Sequence, residues 1–337
     1  MFTPALKLLK QKYPDADIHL LSMFKGVEEL YKRNADIGKI YFWDFLKSNL
    51  LSSLLFVLKL RHNNYDISIN VYPANRWHYN LISFIIGAKK RLGHDYNHLN
   101  FRSLNFLNNI RIREDDLRHN VEENVRLTSL IGVGNPDKIP LLQIHLTEDD
   151  KITAENWLLE NNISNTFLIG FHTGSALFKN HFKRRWAPEK FAKLGRELME
   201  KYSAKVLLFG GPDEYELNDR INSMMDGKAH IVKVPNLMTS VALMKKCSVF
   251  IVNDSGLMHI AAGLQIPIVT IFAYTNPNYV YPWQTRYIMV RRSLECSPCF
   301  YYSARPASCK WKEDKFRCIT QIGVDEVLSA VEKMLCR

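Results

Sequence analysis

The chain has 337 residues, 47% hydrophobic and 23% charged, and a formal net charge of +11. That length suits two ordinary domains of packed globular composition, and no apolar run approaches the roughly 20 residues of a membrane span. The start, MFTPALKLLKQKYP, lacks the apolar centre and cleavage site of a signal peptide, so a soluble, cytoplasmic chain is expected, with the positive surplus pointing to an anionic partner.

Along the chain, strand and helix patterns alternate, which predicts parallel sheets covered by helices. A helix over residues 4–12 precedes any strand. Strands follow at 17–22, 39–43 and 66–71, with helices at 27–34, 46–60, 77–88 and 119–131. The stretch 132–140, with two glycines and two prolines, reads as the approach to a linker. The boundary is placed near residue 145, giving units 1–145 and 146–337. In the second unit, strands are predicted at 166–171, 205–209, 230–234, 249–252 and 267–272. Helices are predicted at 188–202, from about 214, and at 237–246, and a terminal helix closes the chain. This is a doubly wound half of five strands. A doubly wound domain normally opens on a central strand followed by a ligand loop; the first unit reads as lacking both.

The polar groups gather at one joint, VFIVNDSGLMHIAAGLQIPIVTIFAYTNP, residues 249–277. In open α/β sheets, ligands bind beyond the carboxyl ends of the strands. Asp254 and Ser255 stand there as N-caps of the next helix. Gly256 admits a ligand close to the backbone, the helix N-terminus favours anions, and His259 lies one turn along. The plain alternative is a capped helix start with a packing histidine. Three companion loops end other strands of the same unit. FHTGS supplies Gly174 and Ser175, and KRRWAPEKF supplies Lys183, Arg184 and Arg185. Three cations ahead of a helix oppose its dipole unless an anion is bound between them. GGPDE supplies Glu214, either a sugar-hydroxyl acceptor or a helix-start acid. There is no G-x-G-x-x-G, Walker A or H-E-x-x-H motif, which weighs against a nicotinamide-dependent dehydrogenase and a P-loop enzyme. No recognition motif supports nucleic-acid binding.

Four of six cysteines cluster as Cys296-x2-Cys299-x9-Cys309-x8-Cys318. The first pair resembles a zinc knuckle, but the second lacks the short spacing that completes one. The spacing favours a reduced or reversibly oxidised structural cluster over a bound metal.

These blocks together resemble the family 9 glycosyltransferases, the lipopolysaccharide heptosyltransferases. NDSGLMHIAAGLQIPIVTIFAYTNP is similar to the family pattern D-[ST]-G-x-x-H-x-A-A followed by a strand and an F-G-x-T-x-P loop. FHTGS…KRRWAPEKF, LLFGGPDE, CSPC…C…C, TPALKLLKQKYPDADIHLL, KKRLG and RHNVEENVRL match further blocks, over essentially the whole chain. The resemblance implies a GT-B fold, two Rossmann-like domains facing a cleft. The C-terminal domain would hold a nucleotide-diphospho-sugar, ADP-heptose in most members, and the N-terminal domain an anionic lipopolysaccharide core. By the family pattern, Asp254, Ser255, Gly256 and His259 contact the donor diphosphate and sugar, Gly174 and Ser175 form the first phosphate loop, and Glu214 engages the donor. Arg184 falls where the family usually has lysine, with Lys183 or Arg185 able to take that role. Ala273 stands where the F-G-x-T-x-P loop has glycine.

The resemblance implies no metal and no cofactor, with inversion by a single displacement and peripheral contact with the inner membrane. Arg76, after the third strand, is the candidate acceptor contact. The family's catalytic base is an Asp in a Gly-Asp loop after its first strand. That loop would lie before Met1, so no catalytic residue is assigned. The leading expectation is a heptosyltransferase; the second is an N-terminally truncated, catalytically weak nucleotide-binding homologue.

Overall fold

The computed structural model describes every residue except Leu99, Asn135, residues 303–305 and Arg337, and of those every side chain except Phe178 and Lys179. The chain forms two compact units, the first being Met1–His145 with Tyr301 and Tyr302 from the tail, the second Leu146–Phe300 with the tail from Pro306 onward.

Among the described residues, the first unit carries two parallel sheets. One pairs β1 (His19–Ser22) with β2 (Lys39–Phe42). The other has the order β3 (Ile67–Ile69), β4 (Lys90–Asp95), β5 (Ile110–Arg113). The sequence reading has three strands here; β4 and β5 are additional. KRLGHD and IRIR carry charges within the run, so neither reads as an apolar strand. In β5 the charges take the outer face, with Ile110 and Ile112 half-buried and Arg111 and Arg113 exposed, the period-two pattern of a one-sided strand. The helices Thr3–Lys12 and Asn120–Ser129 contribute Leu9 and Leu127 to a core cluster with Leu92 of β4, against which Ile67, Ile69, Ile110 and Ile112 also pack.

Among the described residues, the second unit holds one parallel sheet of six strands, not five. They are β6 (Leu168–His172), β7 (Lys205–Phe209), β8 (His230–Ile231), β9 (Val249–Asn253), β10 (Ile268–Phe272) and β11 (Tyr287–Arg291). Their order is β11-β10-β9-β6-β7-β8. β11 escapes a reading based on strand–helix alternation because only a four-residue helix, Pro277–Val280, separates it from β10. Every residue of β6, β9 and β10 is buried, as expected for parallel strands covered on both faces. The helix Pro188–Tyr202 starts on proline and buries Phe191, Leu194 and Leu198. Glu148–Glu160 is a helix the periodicity does not show; Thr147 and Asp150 close its N-terminus as a reciprocal capping box.

The strand order contains the feature that matters for function. From β6 the chain winds through β7 and β8 towards one edge, then returns beside β6 as β9 and winds through β10 and β11 towards the other. The direction of winding reverses between β6 and β9. Such a switch point leaves a crevice at the carboxyl ends of the two strands, because their following loops turn away from each other.

Candidate functional site

The switch point is where the polar groups converge. β6 ends on His172, β9 ends on Asn253, and both side chains are buried. His172 Nδ1 lies 2.9 Å from Ser255 Oγ, and its Nε2 lies 3.0 Å from Glu214 Oε2. A carboxylate only accepts, so the Nε2–H of His172 donates to Glu214, and Nδ1 shares a hydrogen bond with the Ser255 hydroxyl. One imidazole thereby ties the loop after β7 to the loop after β9.

Ser255 is the N-cap of the helix Gly256–Gly263 by position, but no side chain makes a capping bond there. The expected cap by Asp254 or Ser255 is therefore corrected. The Ser255 hydroxyl is engaged by His172, and the Asp254 carboxylate accepts from Arg184 Nη1 at 2.6 Å. A Cβ added at Gly256 would meet no atom within 4 Å, so the backbone at this helix start borders open space. His259 sits half-buried in the first turn.

Arg184 and Arg185 diverge. Arg184 pairs with Asp254 and also reaches Thr275 Oγ1 at 3.5 Å. Arg185 pairs with Glu214 Oε1 at 3.3 Å and donates to the Ser175 carbonyl and hydroxyl. Lys183 is exposed, with its ammonium 4.7 Å from the Phe182 ring centre. Burial pushes the Glu214 carboxyl up, but the hydrogen bond and charge of His172, the charge of Arg185 and the Gly211 N–H outweigh it, so it titrates below its ordinary value. Burial also draws the Arg185 guanidinium down against the opposing pull of Glu214 and Asp213.

Two residues hold the loops in place. Asn253 donates to the carbonyls of Thr173 and Gly174 at 2.9 and 3.2 Å and accepts from the Trp186 N–H at 3.0 Å. Gly174 has no room for a side chain, since an added Cβ would fall 1.6 Å from Glu214 Oε1. Glycine is thus required here by close approach, not by an unusual dihedral.

The structure joins Ser175, Arg185, Glu214 and Ser255 in one hydrogen-bonded network through His172 and sets Gly174 against the Glu214 carboxylate; the Arg184–Asp254 pair stands beside it, Asp254 adjoining Ser255 and Gly256 in the chain. Arg76 stands in the first unit, as N-cap residue of the helix Trp77–Ile86. His172 and Asn253 are members that sequence reasoning missed, although each is the last residue of its strand at the switch point.

Cys296, Cys299, Cys309 and Cys318 are all free thiols and line one small cavity beside Tyr274 and Trp311. The Trp311 indole N–H points at Cys296 Sγ at 3.5 Å, and the Phe316 N–H at Cys309 Sγ at 3.4 Å. Burial, then its three neighbours, push the Cys318 thiol up to about 11. Among the described residues, no group of three or more His, Cys, Asp or Glu side chains stands ready to hold a metal ion.

The architecture has close counterparts. The chain superposes on a glycosyltransferase family 9 protein from Veillonella parvula with a TM-score of 0.77 at 23% identity, covering 99% of this chain and 92% of that one. For the ADP-heptose lipopolysaccharide heptosyltransferase II of Escherichia coli the TM-score is 0.73 at 19% identity, covering 99% and 94%. The fold is therefore of the GT-B class, two Rossmann-like α/β units built on parallel sheets. In sequence, the chain is 25% identical to lipopolysaccharide heptosyltransferase 3 of Escherichia coli K12, over 99% of this chain and 93% of that protein. The family model of glycosyltransferase family 9 (heptosyltransferase) matches residues 55–309. The chain belongs to that family and is a glycosyltransferase.

Proposed function

We propose that this enzyme transfers heptose, or a related sugar, from an ADP-sugar to a lipopolysaccharide core, by inversion, without a metal ion, at the cytoplasmic face of the inner membrane. The observation that carries the reading is the network at the switch point, where two arginines, two serine hydroxyls and an uncapped helix start converge. The names of the relatives support the sugar and the acceptor: one is a lipopolysaccharide heptosyltransferase, another an ADP-heptose enzyme.

In this reading the donor diphosphate sits against the Gly256 backbone and the Ser175 and Ser255 hydroxyls. Arg184 and Arg185, with Lys183 nearby, stabilise the charge that grows on the leaving diphosphate, the task a metal performs elsewhere. Asp254 and Glu214 hold those arginines at fixed positions before the donor arrives, so little reorganisation accompanies the reaction. His259 and Glu214 face the sugar side. Arg76 engages an anionic group of the acceptor. Inversion is one displacement, and the acceptor proton passes to a base outside this donor-side set.

Calorimetric titration with ADP and ADP-heptose tests the donor half, and release of ADP on adding core acceptor tests transfer. Binding of both nucleotides and acceptor-dependent ADP release are expected. Absence of binding to either nucleotide would overturn the reading.

A further inference from the structure

The helix Leu50–Arg61 turns its leucines outward. Leu50 and Leu51 are 84% and 67% exposed, and Leu54, Leu55 and Leu58 are exposed as well. The spacing 50-51-54-55-58 is a single continuous face. The opposite face, Ser53, Val57 and Leu60, is buried. There the Ser53 hydroxyl accepts from the Trp43 indole N–H at 3.1 Å, and Phe56 stacks on Trp43 at 4.5 Å. Leu46, just before the helix, is also exposed, at 64%. The helix is well specified, because the Asn49 side chain caps it by accepting from the Ser52 N–H at 2.8 Å. An ordinary surface helix does the reverse, burying leucine and exposing serine. A contiguous apolar face of this kind marks an interaction surface.

Charge selects the partner. Between Asp44 and Asp66 there is no acidic residue, while Lys47, Lys59 and Arg61 fringe the leucines. Lys47 and Lys59 are exposed and enter no ion pair among the described residues. A leucine face bordered by unopposed cations suits the interface of a bilayer with anionic headgroups: the leucines enter the acyl boundary while the lysines stay with the phosphates. A polar protein partner would leave the leucines wet, and a second copy of the same face would bring like charges together.

We infer that Leu46 and the helix Leu50–Arg61 form the membrane-docking surface of this enzyme, an interfacial anchor for a bilayer carrying anionic lipid. This deepens the proposed function by assigning its membrane contact to particular residues, and it rests on that reading for which membrane is met.

The test is co-sedimentation of the full chain with vesicles of phosphatidylethanolamine and phosphatidylglycerol, and with phosphatidylcholine vesicles, alongside calorimetry with ADP. The parent chain is expected to sediment with the anionic vesicles. Replacing Leu46, Leu50, Leu51 and Leu55 by glutamine lowers that binding by about tenfold or more. Lys47→Glu with Lys59→Glu lowers it several-fold on anionic vesicles only. ADP binding stays unchanged in both, since no substituted residue belongs to the donor network.

A parent chain that binds ADP but ignores anionic vesicles would overturn the surface assignment and leave the transferase reading standing. Equal sedimentation of parent and glutamine variant would overturn it too. A parent dimer that the glutamine substitutions dissociate, without vesicle binding, would replace the bilayer with a second copy. Loss of ADP binding by the parent would bear on the proposed function alone.

Discussion

Replacing Gly174 by alanine should dismantle one half of the donor network, and the expected cost follows from three distances. The new Cβ would lie 1.6, 2.2 and 2.8 Å from the Oε1, Cδ and Oε2 atoms of Glu214. All three are inside any tolerable contact, so the carboxylate must leave. In leaving it gives up His172 at 3.0 Å and Arg185 at 3.3 Å. A hydrogen bond to a charged group contributes about 1.5–3 kcal/mol. The Glu214 and Arg185 side chains are 12% and 18% exposed, so water recovers part of the loss, and a net destabilisation of roughly 2–3 kcal/mol is expected. The assay is chemical denaturation, following the transition that ADP shifts, since that transition reports the unit that binds nucleotide. A double-mutant cycle makes the reasoning refutable. In a Glu214→Ser background the obstacle is gone, and Gly174→Ala should then cost less than about 0.5 kcal/mol. If the full penalty persists without the Glu214 carboxylate, the steric argument is wrong.

Other expectations can be checked in the same preparations. Arg184→Met leaves Asp254 buried and unpaired, at a cost of about 3–5 kcal/mol; adding Asp254→Asn should recover most of the stability and none of the ADP affinity. Burial raises the Glu114 carboxyl to about 7, against the opposing hydrogen bonds from Tyr72 and the Asn97 N–H. The folded state therefore holds a proton that the unfolded chain releases at its ordinary, lower value. Stability from this group is complete below about 4.5 and is lost as pH rises through about 7. Glu114→Gln, which mimics the protonated acid, should flatten that decline in urea titrations between pH 5 and 8, by up to ~3 kcal/mol at the alkaline end. Finally, iodoacetamide at pH 8 should label the exposed Cys336 readily and Cys318 slowly. Labelling of Cys318 should climb about tenfold per pH unit as its thiolate fraction grows; equal rates by peptide mapping would contradict its burial.

Much of the second unit was legible because its strands are buried on both faces and its helices are punctuated by proline and glycine. Lys205–Phe209 and Pro188–Tyr202 fall at the predicted bounds. β4, β5 and β11 were not legible, for two reasons: charged residues flank the short buried stretch of β4 and alternate along β5, and no helix of ordinary length precedes β11. At the site, residue types identified the loops, but which partner each group takes depends on geometry that spacing does not encode. Ser255 stands at an N-cap position, yet its hydroxyl turns to a histidine 83 residues away in the chain. That histidine, His172, was passed over between a phenylalanine and a threonine. Its place directly after the predicted strand 166–171, in the same loop as Gly174 and Ser175, was the available clue.

The return of the tail to the first unit has a consequence for anyone exchanging parts between relatives. Tyr302 accepts a hydrogen bond from Asn120 Nδ2 at 2.8 Å and meets Tyr72 edge-on at 5.4 Å, while Tyr301 lies 4.6 Å from the His98 ring. The first unit is thus discontinuous in the gene. A chimera that swaps residues 1–145 alone pairs one protein's Tyr72 and Asn120 with another's tail, and inherits a mismatched core. Exchanging the whole first unit between family members requires three junctions, one after His145 and one on either side of the segment that carries Tyr301 and Tyr302.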